Sequence, residues 1–319
     1  VENRRNIIMD GDPGIDDAVA LALAAAHPEA FKLLAFTTVT GNQTIEKVTE
    51  NARRLVEFYG LDIPVAKGSV IPILRKIETA SDIHGSNGMG NVVIPEAVRP
   101  LASDNAVLFL YEMIRDLPEG EKVTLVPTGP LTNIALLFRV FPEVKERVEE
   151  IVLMGGAAFG GNVTSTGEFN IYEDPEAAAI VFESGLPIVM CGLDATNLCG
   201  IDRETAGRLA GEKGSICKAV GEMVQFYLNG PAYSDKPYAS IHDAVTYMYL
   251  LHPEIFQTRK MPVSVDCSEG MNRGMTVCDT RKWSYQEEPT TTVLLDADSE
   301  KFQEYLVDAV YELDRRLAK

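Results

Sequence analysis

The chain has 319 residues, 46% of them hydrophobic, and its 29 basic against 47 acidic side chains leave a formal charge of −18. Such a balance repels phosphate backbones and argues against nucleic acid as a partner, favouring a small neutral substrate or a cation. The longest uncharged apolar stretch, Ala18 to Ala26, has nine residues, short of the ~20 that span a bilayer, so no membrane association is expected.

The first predicted strand is "RNIIMD" (5–10), running directly into "DGDPGIDD" (10–17). There Pro13-Gly14 turns the chain, and a helix begins near Asp16 because "DDAVALALAAA" is strongly helix-forming. A strand over 32–39 and a helix over 45–59 follow, then a helix over 105–115 and strands over 122–127 and 149–155. "DPEAAAIVFES" (174–184) reads as a helix capped by Asp174, with Pro175 in its first turn. "LPIVMCG" (186–192) is another buried-strand sequence.

These strand runs are apolar throughout rather than alternating, which predicts burial on both faces. With helices between them, the expected fold class is α/β: a mostly parallel central sheet with helices on both faces, Rossmann-like. After Asp202 the pattern is mainly helical to Leu251, a helical elaboration of the C-terminal half. Strand-like pieces at 261–265, 274–279 and 290–296 precede an amphipathic helix from Ser299. No repeat or Pro/Ser-rich linker interrupts the chain, so one domain over 1–319 is expected. No basic, apolar leader stands at the N-terminus, and the five cysteines (191, 199, 217, 267 and 278) form no C-x-x-C pair. Reduced thiols and a cytoplasmic location are the expectation.

Asp10, Asp12, Asp16 and Asp17 fall within eight positions, at the carboxyl end of the first strand. In α/β sheets ligands collect at such ends. Two carboxylates about 4 Å apart repel by roughly 4 kcal/mol at an effective dielectric of about 20. One of the four is accounted for as a helix N-cap. The cluster as a whole points to a bound cation, and hard oxygen donors without thiolate suit Ca²⁺ or Mg²⁺. D-x-D also opens a phosphatase pattern with Asp10 as nucleophile, but Gly14 stands where haloacid-dehalogenase-type enzymes usually carry a hydroxyl.

Residues 10–17 resemble the D-x-D-x-G-x-D-D fingerprint of the nucleoside hydrolases, the inosine/uridine-preferring nucleoside N-ribohydrolases. The resemblance continues in order through "TTVTGNQT" (37–44), "IHGSNGMG" (83–90), "VPTGPLTNIA" (126–135), "VLMGGA" (152–157), "GNVTSTGEFNIYEDPEAA" (161–178) and "IHDA" (241–244). It implies Ca²⁺-dependent hydrolysis of the N-glycosidic bond of ribonucleosides, releasing ribose and a purine or pyrimidine base. Carried over residue by residue, Asp12, Asp17, Asp243 and the carbonyl of Thr128 would hold the Ca²⁺, with Asp10 supporting them from behind. Asp12 would also be the general base, and His242 would protonate or hydrogen-bond the departing base. Asp16, Asn42, Met154, Asn162, Glu168 and Asn170 match sugar-holding positions, and His84 lies in a loop resembling one that closes over substrate. Relatives of this kind are commonly homodimers or homotetramers, and that is expected here too.

For the base itself the candidates are Phe159, Gln225, Phe226, Tyr227, Tyr233 and Tyr238, which suit stacking and core packing equally. His27 and His252, each followed by proline, read as plain structural histidines. The competing readings are a phosphohydrolase of the haloacid dehalogenase type and a non-catalytic nucleoside-binding protein.

Overall fold

The computed structural model describes residues 4–77, 79, 81–281, 283, 285 and 288–318. Its strands, in chain order, are β1 (Arg5–Gly11), β2 (Phe31–Thr38), β3 (Val65–Lys67), β4 (Val123–Pro127), β5 (Val148–Met154), β6 (Ile188–Cys191), β7 (Gly200–Asp202), β8 (Tyr238–Ser240), β9 (Phe256–Lys260), β10 (Val263–Val265), β11 (Thr276–Cys278) and β12 (Thr291–Ala297). Eight of them form one sheet in the order β3-β2-β1-β4-β5-β6-β12-β9. Every pairing in it is parallel except β12 with the edge strand β9. The expected mostly parallel α/β sheet is therefore present.

The N-terminal helices are α1 (Ile15–Ala26), α2 (Ile45–Phe58), α3 (Ser81–His84), α4 (Ala106–Arg115) and α5 (Thr132–Val140). Then come α6 (Phe169–Glu173), α7 (Pro175–Phe182), α8 (Leu193–Thr196), α9 (Arg203–Ala210), α10 (Ser215–Asn229), α11 (Ala244–Leu251) and α12 (Ser299–Leu317). Alternate residues of the apolar strands face opposite helical layers, as the two-residue period of a strand requires. Ile7, Met9, Val126, Val152 and Leu294 share one hydrophobic cluster with α1, α2, α10, α11 and α12. Ile8, Leu125, Ile151, Met190 and Val293 share the other with α4, α5 and α7. Every residue of α1 is buried, consistent with its being apolar almost all round and packed against α11 and α12.

The region after Asp202 is less purely helical than its pattern implies: β8 lies within it and pairs antiparallel with β7. The pieces at 263–265 and 276–278 form a second antiparallel ribbon, β10 with β11, outside the main sheet. Among the described residues no helix is long and apolar enough to cross a membrane.

The carboxyl ends of the central parallel strands lie side by side. The segments that follow β1, β2, β4, β5 and β6 carry Asp16, Asn42, Thr128, Glu168 with Asn170, and Asn197, which line one cavity.

Candidate active site

A cavity of about 720 Å³ opens over these strand ends. Asp16, Asn42, His84, Thr128, Met154, Asn162, Glu168, Asn170, His242 and Asp243 all line it. Residues as far apart in the chain as Asp16 and Asp243 are thus brought to one cavity. Asp10, Asp12 and Asp17 are not lining residues; they are buried, at 1%, 0% and 0% exposure.

Asp16, Asp17 and Asp243 each place a carboxylate oxygen within 4.8 Å of the others. Asp12 is not one of this trio, whereas Asp16, assigned from the resemblance to the sugar, is. Burial raises the pKa of all of them. Asp16 is pushed up to about 7, with the charge of Asp17 adding to the effect, and Asp17 to about 6. Asp12 is raised well above the usual carboxylate range by burial and then by Asp17, and Asp243 by burial and then by Asp16, Asp17 and Asp12. Asp12 Oδ2 accepts from the Asn42 backbone N–H at 2.6 Å. Asp12 Oδ1 is buried with no hydrogen-bond partner among the described residues. An all-oxygen donor set with an orphaned carboxylate oxygen beside it fits a hard divalent cation such as Ca²⁺ or Mg²⁺.

None of the four aspartates is the N-cap expected of one of them; Asp17 instead closes a capping box from the third helical position. Gly14 is the N-cap of α1, and Asp17, three residues on, accepts the Gly14 N–H at 3.0 Å. Its other oxygen accepts from Thr128 Oγ1 at 2.7 Å. Asp10 Oδ1 accepts from Thr37 Oγ1 at 2.5 Å and Asn133 Nδ2 at 2.8 Å, and burial pushes its pKa up to about 7. Asp10 therefore ties β1 to β2 and α5 behind the acidic floor.

Glu168, also lining the cavity, caps α6 and accepts three backbone N–H groups, from Gly156 at 2.8 Å, Asn170 at 3.0 Å and Ile171 at 3.2 Å. Burial still pushes its pKa up to about 7. Asn170 Nδ2 donates to the carbonyls of Thr128 at 2.9 Å and Met154 at 3.1 Å. The Thr128 carbonyl thus carries a protein partner and keeps one further lone pair. Asn162 Oδ1 accepts from the Phe169 N–H at 2.9 Å.

Two histidines stand over the cavity. His84 Nδ1 accepts from the Ile15 N–H at 3.2 Å and lies 2.9 Å from Tyr227 Oη, which also donates to Asp16 at 3.1 Å. Burial drives the His84 pKa down to about 3, so the ring is neutral, as an accepting Nδ1 requires. His242 lies between Thr196 Oγ1, 2.8 Å from Nδ1, and Tyr233 Oη, 3.1 Å from Nε2. Burial, then the positive charge of Lys236, lowers its pKa to about 4.

Of the six base candidates, Tyr227 and Tyr233 line the cavity, while Phe159, Gln225, Phe226 and Tyr238 do not. Phe159 is 74% exposed. Tyr238 donates to the Asn197 carbonyl at 2.9 Å. Phe226 packs against the backbone of Gly85 and Gly90. Three residues here carry no sequence signal of their own: Thr196, Lys236 and Asn133, the last within "VPTGPLTNIA" (126–135). The same holds for Gly41 and Gly129, where a Cβ would press on the two oxygens of Asp12.

The family profile of the inosine-uridine preferring nucleoside hydrolases matches residues 7–304. The chain is 42% identical over 313 residues to the pyrimidine-specific ribonucleoside hydrolase RihA of Shewanella sp. (strain MR-7), covering 96% of each. It is 39% identical over 308 residues to the inosine-uridine preferring nucleoside hydrolase of Leishmania major, covering 96% of this chain and 97% of that one. A purine-preferring ribonucleoside hydrolase from Gardnerella vaginalis superposes with a TM-score of 0.90 at 30% identity, over 98% of this chain and 100% of that one. The chain belongs to the inosine-uridine preferring nucleoside hydrolase family and is an enzyme of the nucleoside hydrolase type.

Proposed function

We propose that this family member hydrolyses the N-glycosidic bond of ribonucleosides with the help of a Ca²⁺ ion, releasing ribose and a free base. The observation that carries the reading is the acidic floor: three carboxylates with oxygens within 4.8 Å of one another, beside the unpartnered Oδ1 of Asp12. Asp12, Asp17, Asp243 and the remaining lone pair of the Thr128 carbonyl would hold it, as the resemblance implies, with Asp16 joining them through its place in the carboxylate trio. When bound, such an ion acidifies a water molecule and anchors vicinal hydroxyls.

The chain's own residues supply the rest. Asp12 Oδ1 accepts the proton of the attacking water, since its other oxygen is held by Asn42. As the bond to the base breaks, positive charge develops on the sugar, and the negative floor favours it. Asp16, Asn42, Met154, Asn162, Glu168 and Asn170 receive the ribose, and His242 faces the departing base with Tyr233 at its Nε2. Assembly into a homodimer or homotetramer belongs to the same reading and is measured by light scattering.

Asp10 as a phosphate-attacking nucleophile has little support, because it lies behind the floor with one oxygen held by Thr37 and Asn133. The deciding assay is ribose release from a panel of purine and pyrimidine nucleosides, with and without chelator. The relative at 42% identity is named pyrimidine-specific, so uridine and cytidine stand first in the panel. Ribose release lost in chelator and restored by Ca²⁺ is the expected result. Phosphate release from small phosphomonoesters without ribose release from any nucleoside would overturn it.

A further inference from the structure

Four consecutive N–H groups in the loop after β5 donate to side chains rather than to backbone. Gly156 N–H goes to Glu168 Oε2 at 2.8 Å, Ala157 to Thr276 Oγ1 at 2.9 Å, Ala158 to Asp194 Oδ2 at 2.6 Å and Phe159 to Asp194 Oδ1 at 3.1 Å. Thr276 returns its own proton to the Ala157 carbonyl at 2.7 Å, so one hydroxyl satisfies both polar groups of a buried residue. The turn is closed around that hydroxyl. Gly156 has φ +73, and a Cβ there would lie 2.8 Å from both Thr276 Oγ1 and Cγ2.

Thr276 sits in β11, in a ribbon well separated in sequence from every residue assigned to the site. That ribbon is itself anchored. Arg273, 4% exposed, donates to both oxygens of Glu176 on α7 at 2.7 and 2.8 Å, and Met275 bridges to Gly167. Asp194 comes from α8. Two elements beside the cavity therefore hold residues 157–159, whose neighbour Gly156 holds Glu168. Glu168 in turn accepts the Asn170 N–H, and Asn170 reaches the Thr128 and Met154 carbonyls.

We propose that Thr276 and Asp194 are positioning residues for hydrolysis: they clamp residues 157–159 and thereby set Glu168 and Asn170 at the ribose wall. This rests on the reading of Glu168 and Asn170 as sugar-holding residues. Neither clamp residue touches the reacting atoms, so the effect falls on ribose binding more than on the chemical step.

The test compares Thr276→Val, which keeps the shape and loses the hydroxyl, with Thr276→Ser, which keeps the hydroxyl. Asn170→Ala serves as the control for the sugar wall itself. Thr276→Val is expected to raise KM for a ribonucleoside about tenfold, the size of a lost buried partner, with kcat within about threefold. Thr276→Ser should restore KM to within about twofold of the parent. Asp194→Ala should shift KM in the same direction, and it carries the test if Thr276→Val does not fold by circular dichroism. An unchanged KM in folded Thr276→Val or Asp194→Ala, alongside a raised KM in Asn170→Ala, overturns the clamp. So does a serine variant as impaired as the valine. An unchanged KM in Asn170→Ala instead overturns the sugar-wall reading on which the clamp rests.

Discussion

His242 and Tyr233 form a hydrogen-bonded pair, with Nε2 and Oη 3.1 Å apart and Thr196 holding the other ring nitrogen at 2.8 Å. With its pKa lowered to about 4, the imidazole is neutral at neutral pH. In the leaving-group role proposed for His242, the proton would therefore come from a neutral N–H or from the tyrosine hydroxyl bonded to it, not from a standing imidazolium. His242→Ala is expected to slow uridine or inosine hydrolysis by about 10² or more while affecting p-nitrophenyl riboside, whose leaving group needs no proton, far less. Tyr233→Phe should move the same ratio in the same direction by a smaller factor. Parallel rate measurements on the two substrates decide the matter, and equal losses on both would exclude the leaving-group role.

In the proposed mechanism Asp12→Asn removes the proton acceptor. Turnover should fall by about 10² to 10⁴ with the fold retained. Because burial, and then the charges of Asp17 and Asp16, disfavour an Asp12 carboxylate, the variant should also melt at a higher temperature than the parent in chelator. Near-parental turnover would remove Asp12 from the chemistry. A lower melting temperature in chelator would mean that burying an amide N–H₂ there costs more than burying the carboxyl group.

Much of this arrangement is legible in the sequence because its signals are local. Burial on both faces writes the inner parts of β1, β5 and β6 (residues 7–9, 151–154 and 188–191) as apolar runs, and Asp174 does cap α7, accepting the Ala177 N–H at 3.1 Å. The acidic loop announces itself by crowding. What stayed hidden has no local signature. β9 ("FQTRK") is an edge strand with exposed, charged positions and reads as a loop. β7 and β8 are three residues each. The exchange of Asp16 for Asp12 in the carboxylate trio depends on side-chain directions within one tight turn. Thr196 beside His242, Tyr227 beside His84 and Thr276 beside Ala157 are meetings across long stretches of chain, which periodicity does not encode.

Gly41 tests how tightly Asp12 is enclosed. A Cβ there would overlap Asp12 Oδ2 and lie 2.8 Å from Pro130 Cδ. No left-handed backbone is involved, so the penalty is steric. Gly41→Ala should destabilise by about 1–3 kcal/mol in urea unfolding and lower turnover by displacing the carboxylate. Gly211→Ala, whose nearest contacts would be ordinary ones at 3.5 Å, should stay within about 0.5 kcal/mol. Equal effects at the two positions would show that Asp12 has more room than the geometry gives it.

The acidic floor also fixes the sign of the pH dependence in chelator. Asp10, Asp16 and Glu168 have pKa values raised to about 7 and Asp17 to about 6, and burial also holds Asp12 and Asp243 well above the usual carboxylate range. Their ordinary values are 3.8 for Asp and 4.5 for Glu. Between those values and neutrality the folded chain holds protons that the unfolded chain has released, so stability falls as pH rises. His84 and His242, lowered to about 3 and 4 from 6.5, act oppositely below pH 6.5, where only the unfolded chain is protonated. Each fully engaged group contributes about 1.4 kcal/mol per pH unit, so six acids outweigh two histidines. Above pH 6.5 the histidines drop out. The melting temperature in chelator should therefore fall from about pH 5.5 to about pH 8, and added Ca²⁺ should raise it most at the alkaline end, where the carboxylates are free to bind it. A melting temperature that climbs with pH in chelator would mean that these carboxyls are ionised in the folded chain without a cation.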